Sequence, residues 1–568
     1  MLFSQVVQTF DAISALSGRT EITKQLAHLL AQACPEEAQI ITYISLGLLR
    51  APYHGTQFAL AEKSMLSIVA DAFEIDPAYI QTRMTALGDL GLVCAEQQKE
   101  SIHESITLQE VYNQLCVLEK ISGTGSYDQR SLLLQALFKQ LSPLSCSFIV
   151  RIVLGKLRLG FSDMTLLDAL SWATVGDKSL HKNLEHAYNI CADIGFIAYT
   201  LKKDGTDGID LLQIQVGIPV RPAAAERASS ADQVIARLGR CAAQPKVDGF
   251  RLQIHKSGDK INFFSRNLLD MSDMFPEIRE HIESLSPDSY IIEGEAVAYD
   301  QATGICMPFQ QTITRKRKHA VAAAAQDLPL TFIIFDILYA EHKSLLAVSH
   351  EERRKKLIEL FGQPQDALVT VIPEKIVTTA QETQEYFDAM LLGGFEGLVL
   401  KKLDSVYQAG KRNFNWIKFK RQEGTRISDS IDAVILGYYT GKGRRTELGM
   451  GAFLVGAYDP ETDTYKTIAK VGTGLSDDEW RMLKKQCDLH SSHARPSQVI
   501  CPDSLIPSVW VQPVLVCEIQ ADEITLSPLH AAGYALRFPR FIKIRTDKSP
   551  QDATTVSELA SLYKLGLK

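Results

Sequence analysis

Close-set cysteine pairs, long apolar runs and surplus positive charge are all missing from this 568-residue chain. Its ten cysteines are scattered singly from Cys34 to Cys517, and no two stand at the spacing of a zinc knuckle or ribbon. That excludes a four-cysteine zinc site and points to reduced thiols in the cytoplasm. No stretch approaches the ~20 apolar residues of a membrane span, and Met1-Leu2-Phe3-Ser4-Gln5 lacks the charged-then-apolar pattern of a signal peptide. A net charge of -7 rules out a global positive field, so any acidic polymer has to meet a local patch. Two basic runs, Arg315-Lys316-Arg317-Lys318 and Arg353-Arg354-Lys355-Lys356, could form one, although each reads first as a solvated loop or helix face. Internal repeats and low-complexity tracts are absent too.

What is present is length and a change of period. A chain of 568 residues is too long for one core, and two to four domains are expected. From residue 3 to about residue 201 apolar residues recur at three and four, as in 22–34, 62–73, 131–141 and 166–173, which predicts an all-α region. Two features stand out there. Ser122-Gly123-Thr124-Gly125-Ser126 opens onto a helix and is either a phosphate cradle or a plain turn. Arg151, Lys156 and Arg158 stand within about two helical turns, able to meet successive backbone phosphates or simply to complement a helix end.

Val216-Gly217-Ile218-Pro219-Val220-Arg221-Pro222 breaks the helical pattern, and strands mixed with helices follow, at 246–255, 261–265, 290–299, 330–337 and 397–401. After a second break at Gln422-Glu423-Gly424, short strands at 433–439, 452–458, 467–471 and 514–519 suit a small β-barrel of the oligonucleotide-binding type. The expected domains are 1–215, all-α; 216–424, α+β; and 425–568, β-barrel.

Within the middle domain one lysine organises the rest. Lys246 lies in Gln244-Pro245-Lys246-Val247-Asp248-Gly249-Phe250-Arg251, inside a stretch that reads as a buried strand. An ε-amino group attacks only when neutral, which at an ordinary pKa of about 10.4 is rare at pH 7, so a lysine nucleophile needs burial or neighbouring cations. Alone, K-x-D-G could be a surface strand. Its companions arrive in order: Ser265-Arg266-Asn267, Glu293-Gly294-Glu295, Phe335-Asp336, Glu396-Gly397-Leu398-Val399-Leu400-Lys401, then Trp416-Ile417-Lys418-Phe419-Lys420. Glu295 and Glu396 are hard ligands for Mg²⁺, Phe335 offers a face for a base, and Arg266, Arg412, Lys418 and Lys420 supply positive charge for phosphates.

This ordered set resembles the covalent nucleotidyltransferases, and in order and spacing the ATP-dependent DNA ligases of the archaeal and eukaryotic replicative type. The resemblance covers nearly the whole chain. Gly155-Lys156-Leu157-Arg158 and the glycine loop look like that family's DNA-binding domain, and Leu536-Arg537-Phe538-Pro539-Arg540-Phe541-Ile542-Lys543-Ile544-Arg545 is similar to its last motif. The resemblance implies that Lys246 attacks the α-phosphate of ATP, with Mg²⁺ or Mn²⁺, to form lysyl-AMP. The adenylate would pass to the 5′-phosphate of a nick in double-stranded DNA, and the 3′-hydroxyl would displace AMP, in replication, recombination and repair.

It also implies roles. Arg251 and Arg266 would contact ribose or phosphate, Glu295 the ribose hydroxyl or the metal, Phe335 adenine, and Glu396 a second metal. Arg412, Lys418 and Lys420 would meet the α-phosphate, Arg540 and Lys543 the pyrophosphate, and Gly123, Gly125, Arg151, Lys156 and Arg158 the DNA. Two departures are visible. The family usually has Glu two residues before the nucleophile to read the adenine amino group, where this chain has Gln244, whose carbonyl can accept the same hydrogen bond. The region corresponding to the family's sliding-clamp motif, Gln98-Lys99-Glu100-Ser101-Ile102-His103-Glu104, lacks the paired aromatics. A monomer is expected, in the cytoplasm and on the nucleoid if the source is prokaryotic. The competing readings are a capping-type guanylyltransferase, for which the long helical region is surplus, and a catalytically silent nick-binding scaffold.

Overall fold

The computed structural model describes residues 1–97, 104–157, 159–300, 305–307, 312, 315, 325, 327–362, 368–420, 430–441 and 443–566. Arg158, most of the 98–104 region, residues 316–318 of the first basic run and the break at 422–424 lie outside them. The chain divides into two compact units, Met1–Ile75 with Cys94–Arg421, and Asp76–Val93 with Gln422–Lys568.

The first unit begins with helices, as the three-and-four spacing predicts, from Phe3–Ser14 to Ile194–Asp210. The helix Leu108–Lys120 shows the local logic. Thr107 and Glu110 form a capping box at its start, and Leu108, Val111, Leu115 and Leu118 fall on one buried stripe. Each such side chain contributes about 1.5–3 kcal/mol on leaving water. Arg151 lies in the last turn of the helix Pro143–Val153, and Gly155, at φ +63°, turns the chain before Lys156. The basic series expected over two helical turns is therefore interrupted: Lys156 stands beyond the helix, its N–H donating to the Arg151 carbonyl at 2.8 Å.

Two sheets follow. Their strands in chain order are β1 Ala224–Ala228, β2 Cys241–Pro245, β3 Phe250–Ser257, β4 Lys260–Ser265, β5 Ser289–Asp300, β6 Ile305–Cys306, β7 Leu330–Ala340, β8 Lys343–Ser344, β9 Val369–Val371, β10 Lys375–Val377, β11 Gly397–Lys402 and β12 Arg412–Lys420. One sheet runs β1-β12-β11-β2-β10; the other runs β4-β3-β5-β7-β8, with β6 on β5 and β9 on β7. The helices Ala231–Leu238 and Ala380–Leu392 bury Val234 and Phe387 with the first sheet's Leu398, Leu400 and Phe419. Pro276–Ser284 and His350–Phe361 bury Ile278, Ile282 and Leu357 with strands of the second.

The strand expected over 246–255 begins later, at Phe250 of β3. β2 belongs to one sheet and β3 to the other, and residues 246–249 carry the chain between them. Apolar residues stand on both sides of the crossing, but their phase changes there: Pro245 and Val247 fall on one phase, Phe250, Leu252 and Ile254 on the other. Gly249 makes the crossing possible, because a Cβ there would sit 2.4 Å from the Ala296 carbonyl oxygen.

The second unit adds β13 Ile431–Tyr439, β14 Ala452–Asp459, β15 Thr464–Val471, β16 Ser491–Ser492, β17 Val499–Ile500, β18 Val509–Val511, β19 Val516–Gln520, β20 Glu523–Leu526, β21 Tyr534–Arg537 and β22 Arg540–Ile544. Strands are thus more numerous than the four segments expected. β13 pairs with β14 and β19, β14 with β15, and β19 with β22. The helix Asp477–Leu489 buries Trp480 beside Phe453.

Candidate active site

Lys246 leaves the end of β2 still tied to β11: its N–H donates to the Gly397 carbonyl at 2.8 Å and its carbonyl accepts from the Glu396 N–H at 2.9 Å. Because those bonds point toward β11, the nitrogen of Pro245 faces the other side. There β10, paired only with residues 241–243, has already ended. Proline therefore removes no ladder bond, and its presence in an interior strand is explained.

The side chain of Lys246 enters a cleft of about 860 Å³ lined by both sheets. Its nearest partner is the carboxylate of Glu396, which also accepts from Lys420 Nζ at 2.8 Å. The cations expected around the nucleophile are present, but an acid stands in direct contact with it. Burial, then Arg412, Lys420, Lys246 and Arg266, all push the Lys418 pKa below its usual value. Arg266 follows β4 in a tight turn, and Arg412 opens β12; both are exposed on the cleft wall.

Glu295 lies on β5 opposite Arg251 of β3. Burial drives its pKa up to about 7, against the pull of Lys246, Arg251 and the Gly249 N–H. Arg251 is held by protein on three sides. It donates to the Ala223 carbonyl at 2.8 Å, pairs with Glu293 at 3.1 Å, and lies 5.3 Å from the ring centre of Phe335. Phe335 is half-buried and meets Trp416 edge-on at 6.2 Å. Gln244, two residues before Lys246 and on the same side of the strand, is almost fully buried and donates through Nε2 to Glu374 at 2.7 Å.

Gln244, Lys246, Arg251, Arg266, Glu295, Phe335, Glu396, Arg412, Lys418 and Lys420 all line this one cleft. Arg540 and Lys543 lie on β22 of the second unit, both exposed, with Lys543 3.4 Å from Glu518. Gly123 and Gly125 adopt φ of +87° and +75° ahead of the helix Ser126–Phe138, a conformation glycine takes freely. Arg151 is buried over the Phe148 ring at 5.1 Å, and Lys156 pairs with Glu62.

Several lining residues carried no site expectation. Lys401 Nζ donates to the Phe335 carbonyl at 2.9 Å and sits 4.2 Å from the Trp416 ring centre. Tyr53, His54 and Gln57, from the helical region, form another part of the wall. They are anchored by Tyr53, whose hydroxyl donates to Asp193 at 3.1 Å and whose ring meets Phe264 edge-on. The basic run at 353–356 is only in part the solvated helix face expected: Lys355 is exposed, but Arg353 is fully buried and pairs with Asp336 at 2.8 Å.

Among the described residues no group of three or more His, Cys, Asp or Glu is placed to hold a metal. Two half-buried carboxylates, Glu295 and Glu396, in a cleft lined by cations are nonetheless a donor set that suits Mg²⁺, which binds through one or two carboxylates, water and substrate phosphates.

Comparison with known proteins agrees along the whole length. Family models described as "DNA ligase N terminus", "ATP dependent DNA ligase domain" and "ATP dependent DNA ligase C terminal region" match residues 2–171, 222–420 and 446–548. A "Probable DNA ligase" of Dictyoglomus turgidum is 41% identical over 99% of this chain and 98% of its own. A "DNA ligase" of Nitrosopumilus maritimus is 36% identical over 99% of this chain and 98% of its own. The solved structure titled "Pmar-Lig_PreS3" shares the fold, with a TM-score of 0.58 at 16% identity, covering 95% of this chain and 99% of that one. On the strength of three consecutive domain matches and relatives alike from end to end, the chain belongs to the ATP-dependent DNA ligases.

Proposed function

We propose that the cleft around Lys246 binds ATP and that Lys246 Nζ attacks its α-phosphate. The N–P bond forms as the bond to pyrophosphate breaks, leaving lysyl-AMP. AMP then moves to the 5′-phosphate of a nick, and the 3′-hydroxyl displaces it to close the strand. The observation that carries this reading is the convergence of Lys246, Glu396, Lys418, Lys420, Arg266 and Arg412 on one cleft. Attack needs the amine without its proton, and Glu396, already in contact with it, is the acceptor in reach. Lys418, Lys420, Arg266 and Arg412 would steady the phosphates, so that positioning and charge neutralisation supply most of the rate. Phe335 offers the base its face, and Arg251, braced by Glu293, reaches the ribose side.

Glu295 and Glu396 would hold Mg²⁺, which supplies charge neutralisation on the phosphates when bound. For Arg540 and Lys543 we keep the pyrophosphate role, and for Gly123, Gly125, Arg151, Lys156 and Arg158 contact with DNA. Arg151 has the least to offer, being buried. The second unit suits an oligonucleotide-binding barrel: three strands, a helix, then β19 and β22. The Phe541 N–H of β22 donates to the Thr473 carbonyl, just past β15, at 3.0 Å and draws the sheet toward closure. We place the boundaries at 215 and 424 and expect a cytoplasmic monomer; no helix of the described residues is long and apolar enough to cross a membrane.

Incubation with α-labelled ATP and Mg²⁺ should give an acid-labile protein adduct, absent in Lys246→Ala. A wild-type protein that stays unlabelled would sink the reading.

A further inference from the structure

A primary amide has two unlike ends, and the end of Gln244 that faces the base decides which base fits. Its neighbour settles the matter. β10 runs antiparallel to β2 with Lys375 opposite Ala243, so Glu374 arrives opposite Gln244, where Gln244 Nε2 donates to Glu374 Oε2 at 2.7 Å. A carboxylate only accepts, so the amide must turn its NH₂ toward Glu374 and keep its carbonyl oxygen for another partner. Glu374 is itself fixed as an acceptor. It accepts from His350 Nε2 at 3.0 Å and lies 3.8 Å from Arg354 Nε. Burial raises its pKa, but the His350 hydrogen bond and the charges of Arg354 and Lys401 more than offset this and leave it below the ordinary value. Burial also lowers the His350 pKa, so near neutral pH that ring serves as an N–H donor.

We propose that Glu374 is a positioning residue that sets the polarity of Gln244, making it a hydrogen-bond acceptor for the nucleobase and thereby selecting adenine over guanine or hypoxanthine. Adenine carries an amino donor at C6, which the Gln244 oxygen accepts. Guanine and hypoxanthine carry a carbonyl there, and two acceptors would face each other without a proton between them. The proposal rests on the reading of this cleft as the ATP site and adds to it the source of base choice. It also accounts for a glutamine where the family usually has a glutamate: next to Glu374, a second carboxylate would be repelled.

The test is the ratio of kcat/KM for self-adenylation with ATP to that for self-guanylation or self-inosinylation with GTP or ITP. In Glu374→Gln the introduced amide can present either end, because the His350 ring, whose Nδ1 is buried without a partner among the described residues, can carry its proton there and let Nε2 accept; Gln244 is then free to turn. The ratio should fall about 10- to 100-fold. A merely structural role for Glu374 would lower both values together and leave the ratio as in wild type, which would overturn the proposal. The double variant Q244E/E374Q exchanges the two ends of the pair, keeps an acceptor toward the base, and should recover the wild-type ratio. If E374Q takes up no nucleotide at all, the double variant decides: a wild-type ratio supports the proposal, while a low ratio or no uptake overturns it. Failure of the wild type to label with ATP would instead strike the reading of the cleft.

Discussion

Asp336 and Glu396 each hold two cations, and they do opposite things with them. Asp336 pairs with Arg353 and Lys401, all three side chains at most 1% exposed. Glu396 pairs with Lys246 and Lys420, the three between 19 and 24% exposed. Burial raises the Asp336 pKa, but Arg353 and Lys401 hold it far below the ordinary carboxylate range, and Arg353 also donates to the Val348 carbonyl at 2.8 Å. Such a cluster cannot exchange partners without stranding a charge in a dry interior. Glu396 lines the cleft with 19% of its side chain exposed, so its ion pairs are less enclosed than those of Asp336 and cost less to open. The same chemistry serves as a closed brace behind Phe335 in one place and as a more open cluster lining the cleft in the other.

The strongest attack on this contrast is a pair of isosteric changes. Asp336→Asn leaves Arg353 and Lys401 buried without their anion, and should cost about 3–5 kcal/mol in urea unfolding. Glu396→Gln should cost under about 1 kcal/mol, yet slow lysyl-AMP formation by on the order of 100-fold or more. Equal destabilisation by the two would erase the distinction.

His255 sharpens the comparison from another side, because it is buried without any opposite charge. It is held instead by the Gly217 N–H on Nδ1 at 3.0 Å, by Gln253 Oε1 on Nε2 at 2.8 Å, and edge-on by Phe264. Burial drives its pKa down to about 3, so it stays neutral in the fold, whereas the unfolded chain takes up a proton below about 6.5. Its contribution is therefore fully present above pH 6.5 and is lost as pH falls toward 3. Between pH 7 and pH 5 the loss should be about 2 kcal/mol. Urea unfolding at the two values, on wild type and His255→Gln, checks it: an equal drop in both would acquit the histidine.

Motif chemistry made the cleft legible, since a lysine that must lose a proton, two hard acids and a set of cations form a recognisable order along the chain. What the sequence hid depended on long-range placement. Arg353 sits in a run that reads as solvated because Asp336, its partner, lies on a different element. The break between β2 and β3 was masked by apolar residues on both sides of Gly249, although their phase changes there. Glu374 became visible only through the β10–β2 register, and Tyr53 only because Asp193 and Phe264 hold it against the cleft. Helices of the first region were the easiest part, because capping and stripe are local.

The smallest effect concerns a pair more exposed than Glu396 and its lysines. Lys156 and Glu62 are each 37% exposed, so their ion pair is worth little and should yield readily to a DNA phosphate. If it does, Lys156→Ala removes one phosphate contact, and the slope of log affinity for nicked DNA against log salt becomes shallower by about 1. Self-adenylation, proposed for the cleft around Lys246, should be unchanged. A slope equal to wild type would mean that Lys156 stays with Glu62 when DNA binds, and that solvent exposure alone does not make a cation exchangeable.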